Sequence, residues 1–235
     1  MSYPGTKTIM VLANSLKKGG RCVAGVEVTP TTNGQYLLGE WIRPIDPSQH
    51  EGTIPGRRTI LNNRFLKPLD IVSIRFLRPA NDPYHPEDIE IDGATNWSLE
   101  GEMDSSVFSV LRDESGDLWG ASSANNRKVL PHAGNKTLRI IKPKGKLYVR
   151  AFADETPWGV KHRRILHIEH QSAVHQFSID DPSFGRRHSL SPSEVGDRNL
   201  KIDLDPAKTI VIASLTKPFE KDGMQYKIAA TIIEL

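Results

Sequence analysis

Short apolar runs, each cut off by turn residues, set the rhythm of this chain. "TIMVLA", "RCVAGVEV", "YLLGEWIRPI", "DIVSIRFL", "TLRIIKP", "KLYVRAF", "RILHIEH", "HQFSID", "TIVIASL" and "YKIAATII" are rich in Val, Ile and aromatic residues, as strands are. Between them stand "KKGG", "TTNG", "IDPS", "KPKG" and "EKDG", and the Asn-Gly of "TNGQ" and Asp-Gly of "KDGM" favour tight hairpins. Helical spacing is scarce. Its best candidate is "SLEGEMDSSVFSVLRDE", with Met103, Val107, Val110 and Leu111 on one side. "SLSPSEVGD" can add one turn, with Ser191 as the cap before Pro192. Many short strands and one or two short helices predict a mostly β protein of barrel or sandwich class.

Two segments resemble each other. "KTIMVLANSLKKGGRCVAGVEV" begins at Lys7 and "KTIVIASLTKPFEKDGMQYKIAATII" at Lys208, and each reads as strand, Ser-Leu-x-Lys corner, glycine-containing turn and second strand. Their distance is too great for a solenoid and suggests two related small barrels. The expected division is a first barrel over 1–100, a connecting segment with a possible helix over 101–135, and a second barrel over 136–235. The polar stretch "DESGDLWGASSANNRK" lies in the connector. One barrel closed by its first and last strands is the alternative.

Composition narrows the classes. With 235 residues, 37% hydrophobic and 25% charged, the chain can bury a core and is not of the disordered type. No apolar run approaches the roughly 20 residues that span a bilayer. "MSYPGTK" lacks the layout of a secretory signal, and the single cysteine forms no internal disulfide. A cytoplasmic protein without a membrane partner is the simplest expectation. The net charge is only +3, but the cations cluster: Lys17, Lys18 and Arg21; Arg57 and Arg58; Lys142, Lys144 and Lys146; Lys161 to Arg164; Arg186 to His188.

In "ANSLKKGGRCVAG" the lysines precede the glycines and a strand follows, so the segment is no P-loop. It reads as a hairpin tip whose Lys17, Lys18 and Arg21 either contact phosphate or are simply solvated. Cys22 alternates with Ala24 and Val26, which would point it into a core, and a nucleophile activated by its cationic neighbours is the competing reading. "KHRRILHIEHQSAVHQFSIDD" raises metal binding through His162, His167, His170, His175, Asp180 and Asp181. On a strand, however, His167 and His170 face opposite sides, and no Cys-x-x-Cys or His-Glu-x-x-His frame is present. Partly exposed histidines are preferred, and no metal or cofactor is expected. The acidic loop "NDPYHPEDIEID" offers Glu87, Asp88, Glu90 and Asp92 without a calcium-loop frame. It reads as an extended connector with Tyr84 and Ile89 tucked inward.

Aromatics beside cations suit nucleic acid, through base stacking and phosphate pairing. "GEWIRPI" puts Trp41 and Arg43 on one strand face, and "FADETPWGVKHRR" sets Trp158 beside four cations. Core packing is the alternative for both rings. Trp97 and Trp119, among acidic and small residues, read as packing anchors.

"VLANSLKKGGRCVAG", "GEWIRPI", "LDIVSI", "HPEDIEID" and the terminal "IASLTKPF…YKIAATII" together resemble the bacterial dual OB-containing domain family over nearly the whole chain. "SFGRRHSLSPSEVGDRNLKIDL" is longer than the family pattern. The resemblance implies two tandem OB-like barrels and a nucleic-acid or nucleotide-binding role in prokaryotic defence or DNA processing, with no catalytic residues to carry over. The expected function is therefore a non-catalytic module binding single-stranded nucleic acid or a nucleotide. Its candidate contacts are Lys17, Lys18, Arg21, Trp41, Arg43, Trp158, Arg163, Arg164, Arg186 and Arg187. A protein-interaction adaptor is the alternative, favoured by the mild charge.

Overall fold

Apolar alternation in the first hairpin drives one side of each strand into a common interior. In the computed structural model, β1 (Gly5–Lys17) and β2 (Gly20–Pro30) pair antiparallel, turning through Gly19 at φ 87°. Gly25 passes so close to the Met10 carbonyl that a side chain there would strike it. The structure describes residues 3–17, 19–120, 127–131, 136–157 and 159–235. They form two units: 1–111 with 133–136, and 112–132 with 137–235. The stretch expected as a connector is thus divided, 101–111 going with the first unit and 112–132 with the second.

In the first unit β2 continues into β3 (Tyr36–Ile45), followed by β4 (Asp70–Pro79), β5 (Asp88–Ile91) and β6 (Ser98–Glu102). The strands run β1-β2-β3-β5-β4 and close because β4 also pairs with β1, from Gly5↔Phe76 to Met10↔Ile71. β3 and β5 are parallel, with Arg43 opposite Asp88. A closed five-stranded Greek-key barrel of this order is the OB architecture. Ile9, Val11, Val23, Ile42, Val72, Ile74, Phe76 and Ile91 fill its interior. β6 adds to β4, so the segment expected to be helical begins as a strand. Only the single turn α1 (Val107–Val110) follows, its Val107 and Phe108 buried.

The second unit comprises β7 (Leu138–Ile141), β8 (Leu147–Thr156), β9 (Gly159–His170), β10 (Ala173–Ile179), β11 (Leu200–Asp203), β12 (Thr209–Leu215) and β13 (Gln225–Glu234). Its order is β7-β12-β13-β10-β9-β8-β11, with β10 and β13 parallel. β8, β9, β10, β12 and β13 thus repeat the order of the first barrel. Here β8 pairs with β11 and β12 with β7, and among the described residues no pairing joins β8 to β12. Two short helices lie between β10 and β11: α2 (Pro182–Arg187) and α3 (Pro192–Val195). Asp181 Oδ1 caps α2 by accepting from the Ser183 and Phe184 amides, and α3 has the expected Ser191 cap, completed by Glu194.

The two similar sequence segments are not equivalent in space. The first supplies strands one and two of its barrel; the second, β12 and β13, supplies strands four and five of the other. Their likeness reflects a shared hairpin grammar of apolar strand, glycine turn and apolar strand. Nor do the first and last strands pair: β1 pairs with β2 and β4, and β13 with β12, β10 and the short strand Lys128–Val129.

Candidate nucleic-acid interface

The residues singled out in the sequence fall into three places. At the first hairpin, Lys17 reaches the loop beyond β3, its ammonium 3.1 Å from Glu51 Oε2, and Arg21 stacks over the Phe65 ring at 4.4 Å. Lys18 and Trp158 lie outside the described residues. Cys22 does not enter the core; it is half-buried, because Val23 is the β2 residue that faces the barrel interior.

Trp41 and Arg43 are corrected by burial. Trp41 is 7% exposed beside its register partner Val26, and Ala24 on β2 and Met10 and Leu12 on β1 are buried too, so no base can stack on that ring. Arg43 is 4% exposed and already occupied. Its Nε donates to Asp88 Oδ1 at 2.6 Å and a terminal nitrogen to Glu87 Oε1 at 2.5 Å. Burial opposes its charge, but Asp88 and Glu87 outweigh that and hold the guanidinium protonated. The acidic loop is thus neither a cation site nor a plain connector. It carries the counter-ions of a buried arginine, with His85 Nδ1 3.7 Å from Asp88 behind them.

In the second unit, Arg164, Arg186 and Arg187 gather around α2. Arg164 lies against Gly185, and Arg187 holds the helix to β13 through the Ile232 carbonyl and Glu234. Arg186 is exposed, reaching Ser183 Oγ at 3.4 Å. Asp180 lies near this group; burial pushes its carboxyl up to about 6, against the pull of Arg164 and Arg127.

Arg163 belongs elsewhere. Leu147, Val149, Ala151, Leu166, Ile168, Phe177 and Ile179 point into the core, so their neighbours on β8, β9 and β10 point outward. Register builds that outward face row by row. Asp203, Tyr148, His167 and Gln176 form one row; Lys201, Arg150, Ile165 and Ser178 the next; Phe152 and Arg163 a third. The Tyr148 and His167 rings stack at 4.4 Å and 9°, and the Lys201 ammonium sits 4.9 Å from the tyrosine centroid. Arg150 lies 5.6 Å from the Phe152 ring, and Arg163 Nε donates to Asp154 at 2.9 Å. Arg127 reaches the end of the second row by donating to Ser178 Oγ at 2.6 Å. Its Nε is buried with no hydrogen-bond partner among the described residues. Burial, helped by Arg150, lowers the His167 pKa, so the stacked imidazole is neutral at pH 7.

This row of rings and cations spans about 13 Å from Tyr148 to Phe152 at roughly 3.3 Å per residue. Of these residues, Arg163 reads from sequence as a candidate contact and His167 only as a candidate metal ligand. Tyr148, Arg150, His167 and Lys201 sit on three strands, and only register brings them together. Period-2 alternation in "KLYVRAF" was the available signal, since it puts Tyr148, Arg150 and Phe152 on one side.

Of the histidine run, His167 and His175 are buried rather than partly exposed. Among the described residues no three His, Cys, Asp or Glu side chains converge as metal ligands. Trp97 and Trp119 are buried anchors.

Both units therefore follow one strand order with a parallel third-to-fifth pair, which makes the chain a tandem of two OB-type units. A family model described as dual OB-containing domain matches residues 7–232, and the chain belongs to that family. Among solved structures it is similar to the Ifi202 HINa domain in complex with 20-bp double-stranded DNA, at 8% identity and TM-score 0.34, over 99% of this chain and 97% of that one. It is also similar to the tetrameric p202 HIN2, at 9% identity and TM-score 0.31, over 98% and 91% of the two chains. A murine DNA binding protein bound with double-stranded DNA is similar at 9% identity and TM-score 0.29, over 100% of each. No curated protein matches the sequence.

Proposed function

We propose that the chain is a non-catalytic nucleic-acid-binding module that lays a single strand along the outward face of β8, β9 and β10. The observation that carries this reading is the outward group of Tyr148, Arg150, Phe152 and Arg163, with the buried His167 ring backing Tyr148 and Arg127 alongside, on the strands where OB barrels hold oligonucleotides. Bases of a single strand are free to stack on such rings, whereas a duplex keeps them paired. Lys201 is 56% exposed and can turn to a phosphate, which uncovers one face of Tyr148. Arg127, held beside this face by Ser178, adds a further positive charge to it.

Fluorescence anisotropy with labelled single strands at two salt concentrations tests this. Four phosphate contacts, from Lys201, Arg150, Arg163 and Arg127, give a log–log salt slope of about −3 on single strands. Arg150→Glu with Arg163→Glu should reduce that slope by about 1.4 and weaken binding at least tenfold. Absence of binding at low salt, or an unchanged slope in the double variant, would overturn the proposal.

A second reading rests on the β2–β3 end of the first barrel. Tyr36, Leu37 and Leu38 are exposed there, Leu37 at 65%, and such an apolar tip suits a protein partner.

A further inference from the structure

Beside the Tyr148 row the second unit has a groove of about 960 Å³, near the upper end of the range for small-ligand sites. Its wall on one side is β11, the strand that takes the place beside β8 where the first barrel closes on itself. Three lysines and two carboxylates line it: Lys144 and Lys146 from the β7–β8 loop, Lys201 and Asp203 from β11, and Glu169 from β9. All three lysines are exposed, Lys144 with its ammonium 3.6 Å from Asp113 and Lys201 paired with Asp203. Between them lie Val174, Leu204 and Pro206, an apolar surface, and Tyr148 stands at the edge.

The chemistry differs from that of the strand face. On the strand face Arg150 and Arg163 stand on different rows, which suits successive phosphodiesters of one charge each. In the groove three exposed lysines outnumber the carboxylates Glu169 and Asp203 and stand beside an apolar surface, which suits a base next to a phosphomonoester of charge near −2. Resting on the binding reading above, we propose that this groove holds a terminal nucleotide bearing a phosphomonoester. The lysines take the phosphate, Val174, Leu204 and Pro206 take the base, and the next base lies over Tyr148. A strand end and a free mononucleotide present the same chemistry.

The full chain would be titrated with one single-stranded sequence in four forms: 5′-phosphorylated, 3′-phosphorylated, unphosphorylated and circular. Adenosine monophosphate would serve as competitor. One phosphorylated form is expected to bind about tenfold more tightly than the unphosphorylated and circular forms, the scale of a lost charge-assisted contact. Lys144→Glu with Lys146→Glu, both solvent-exposed, should erase that preference and leave circular-strand binding within about twofold. Competition by the mononucleotide at micromolar concentration would identify the free nucleotide as a source, and its failure would leave the strand end. Equal binding of all four forms would overturn the groove assignment while the strand-face reading stands. Failure of every form to bind would overturn both.

Discussion

Arg43→Ala should destabilise the first barrel by about 3–5 kcal/mol, the cost of breaking a buried ion pair from one side. Arg43 and Asp88 are register partners in the parallel pairing of β3 with β5, and the Arg43 amide also donates to the Glu87 carbonyl at 2.9 Å. The side-chain cluster therefore latches the contact that closes the Greek key. Burial works to raise the Asp88 pKa, but Arg43 and the hydrogen bond to His85 outweigh it and hold the carboxyl below its usual range. Without the guanidinium, two carboxylates stay in the interior and only His85 still opposes the effect of burial on Asp88. The Asp88 pKa then rises, and protonation relieves the cost as pH falls. The deficit against wild type should be largest near pH 7 and narrow toward pH 5. Urea unfolding at both values measures it, and hydrogen exchange at Arg43–Ile45 and Asp88–Glu90 localises it. A loss under about 1 kcal/mol, the range of solvent-exposed pairs, would mean that water screens the cluster. Adding Glu87→Gln and Asp88→Asn to the variant should recover most of the stability, because no uncompensated charge then remains.

What could be read from the chain was local chemistry; what could not was pairing between distant segments. The Asn-Gly and Asp-Gly turns stand between β2 and β3 and between β12 and β13, because Gly34 and Gly223 adopt φ 78° and 67°. Ser191 caps α3 for an equally local reason. Trp41 and Arg43 were legible as a pair sharing a strand face, yet their role depends on residues far along the chain. Glu87 and Asp88 lie 44 and 45 positions from Arg43, and only the β3–β5 pairing makes them its counter-ions. Ser98–Glu102 shows the same limit from the other side. Its spacing suits a helix, but β4 offers an open edge, and ladder hydrogen bonds to Asp70–Ser73 decide its conformation. The histidine run is the third instance: His167 is set by the Tyr148 ring across the sheet, and His175 by a lysine 52 residues away.

That lysine, Lys227, underlies the second large expected effect. It is 0% exposed, with its ammonium 2.8 Å from the Gly120 carbonyl and 3.1 Å from His175 Nδ1. An ammonium has donors only, so Nδ1 must accept and the imidazole is neutral. Burial, then the neighbouring Lys227, lowers the His175 pKa to about 4; burial lowers Lys227 to about 8 despite the pull of Asp117. Both folded values lie below the unfolded ones, so the unfolded chain binds more protons in each window. Stability should therefore rise with pH between about 4 and 6.5 through His175, and again between about 8 and 10.5 through Lys227. Each window is worth up to about 3 kcal/mol at 1.36 kcal/mol per pKa unit. Asp180 acts against the first, because its raised value means that the unfolded chain loses that proton earlier. The alkaline window is therefore the cleaner test. Wild-type protein should resist urea better at pH 9.5 than at pH 7.5, and Lys227→Met, similar in length and uncharged, should lose that gain. Asp180→Asn should steepen the acid limb that remains. A wild-type curve flat from pH 7.5 to 9.5 would mean that folded Lys227 holds its proton as the unfolded chain does, because water reaches it; a lysine already uncharged at neutral pH would instead make stability climb across the whole range.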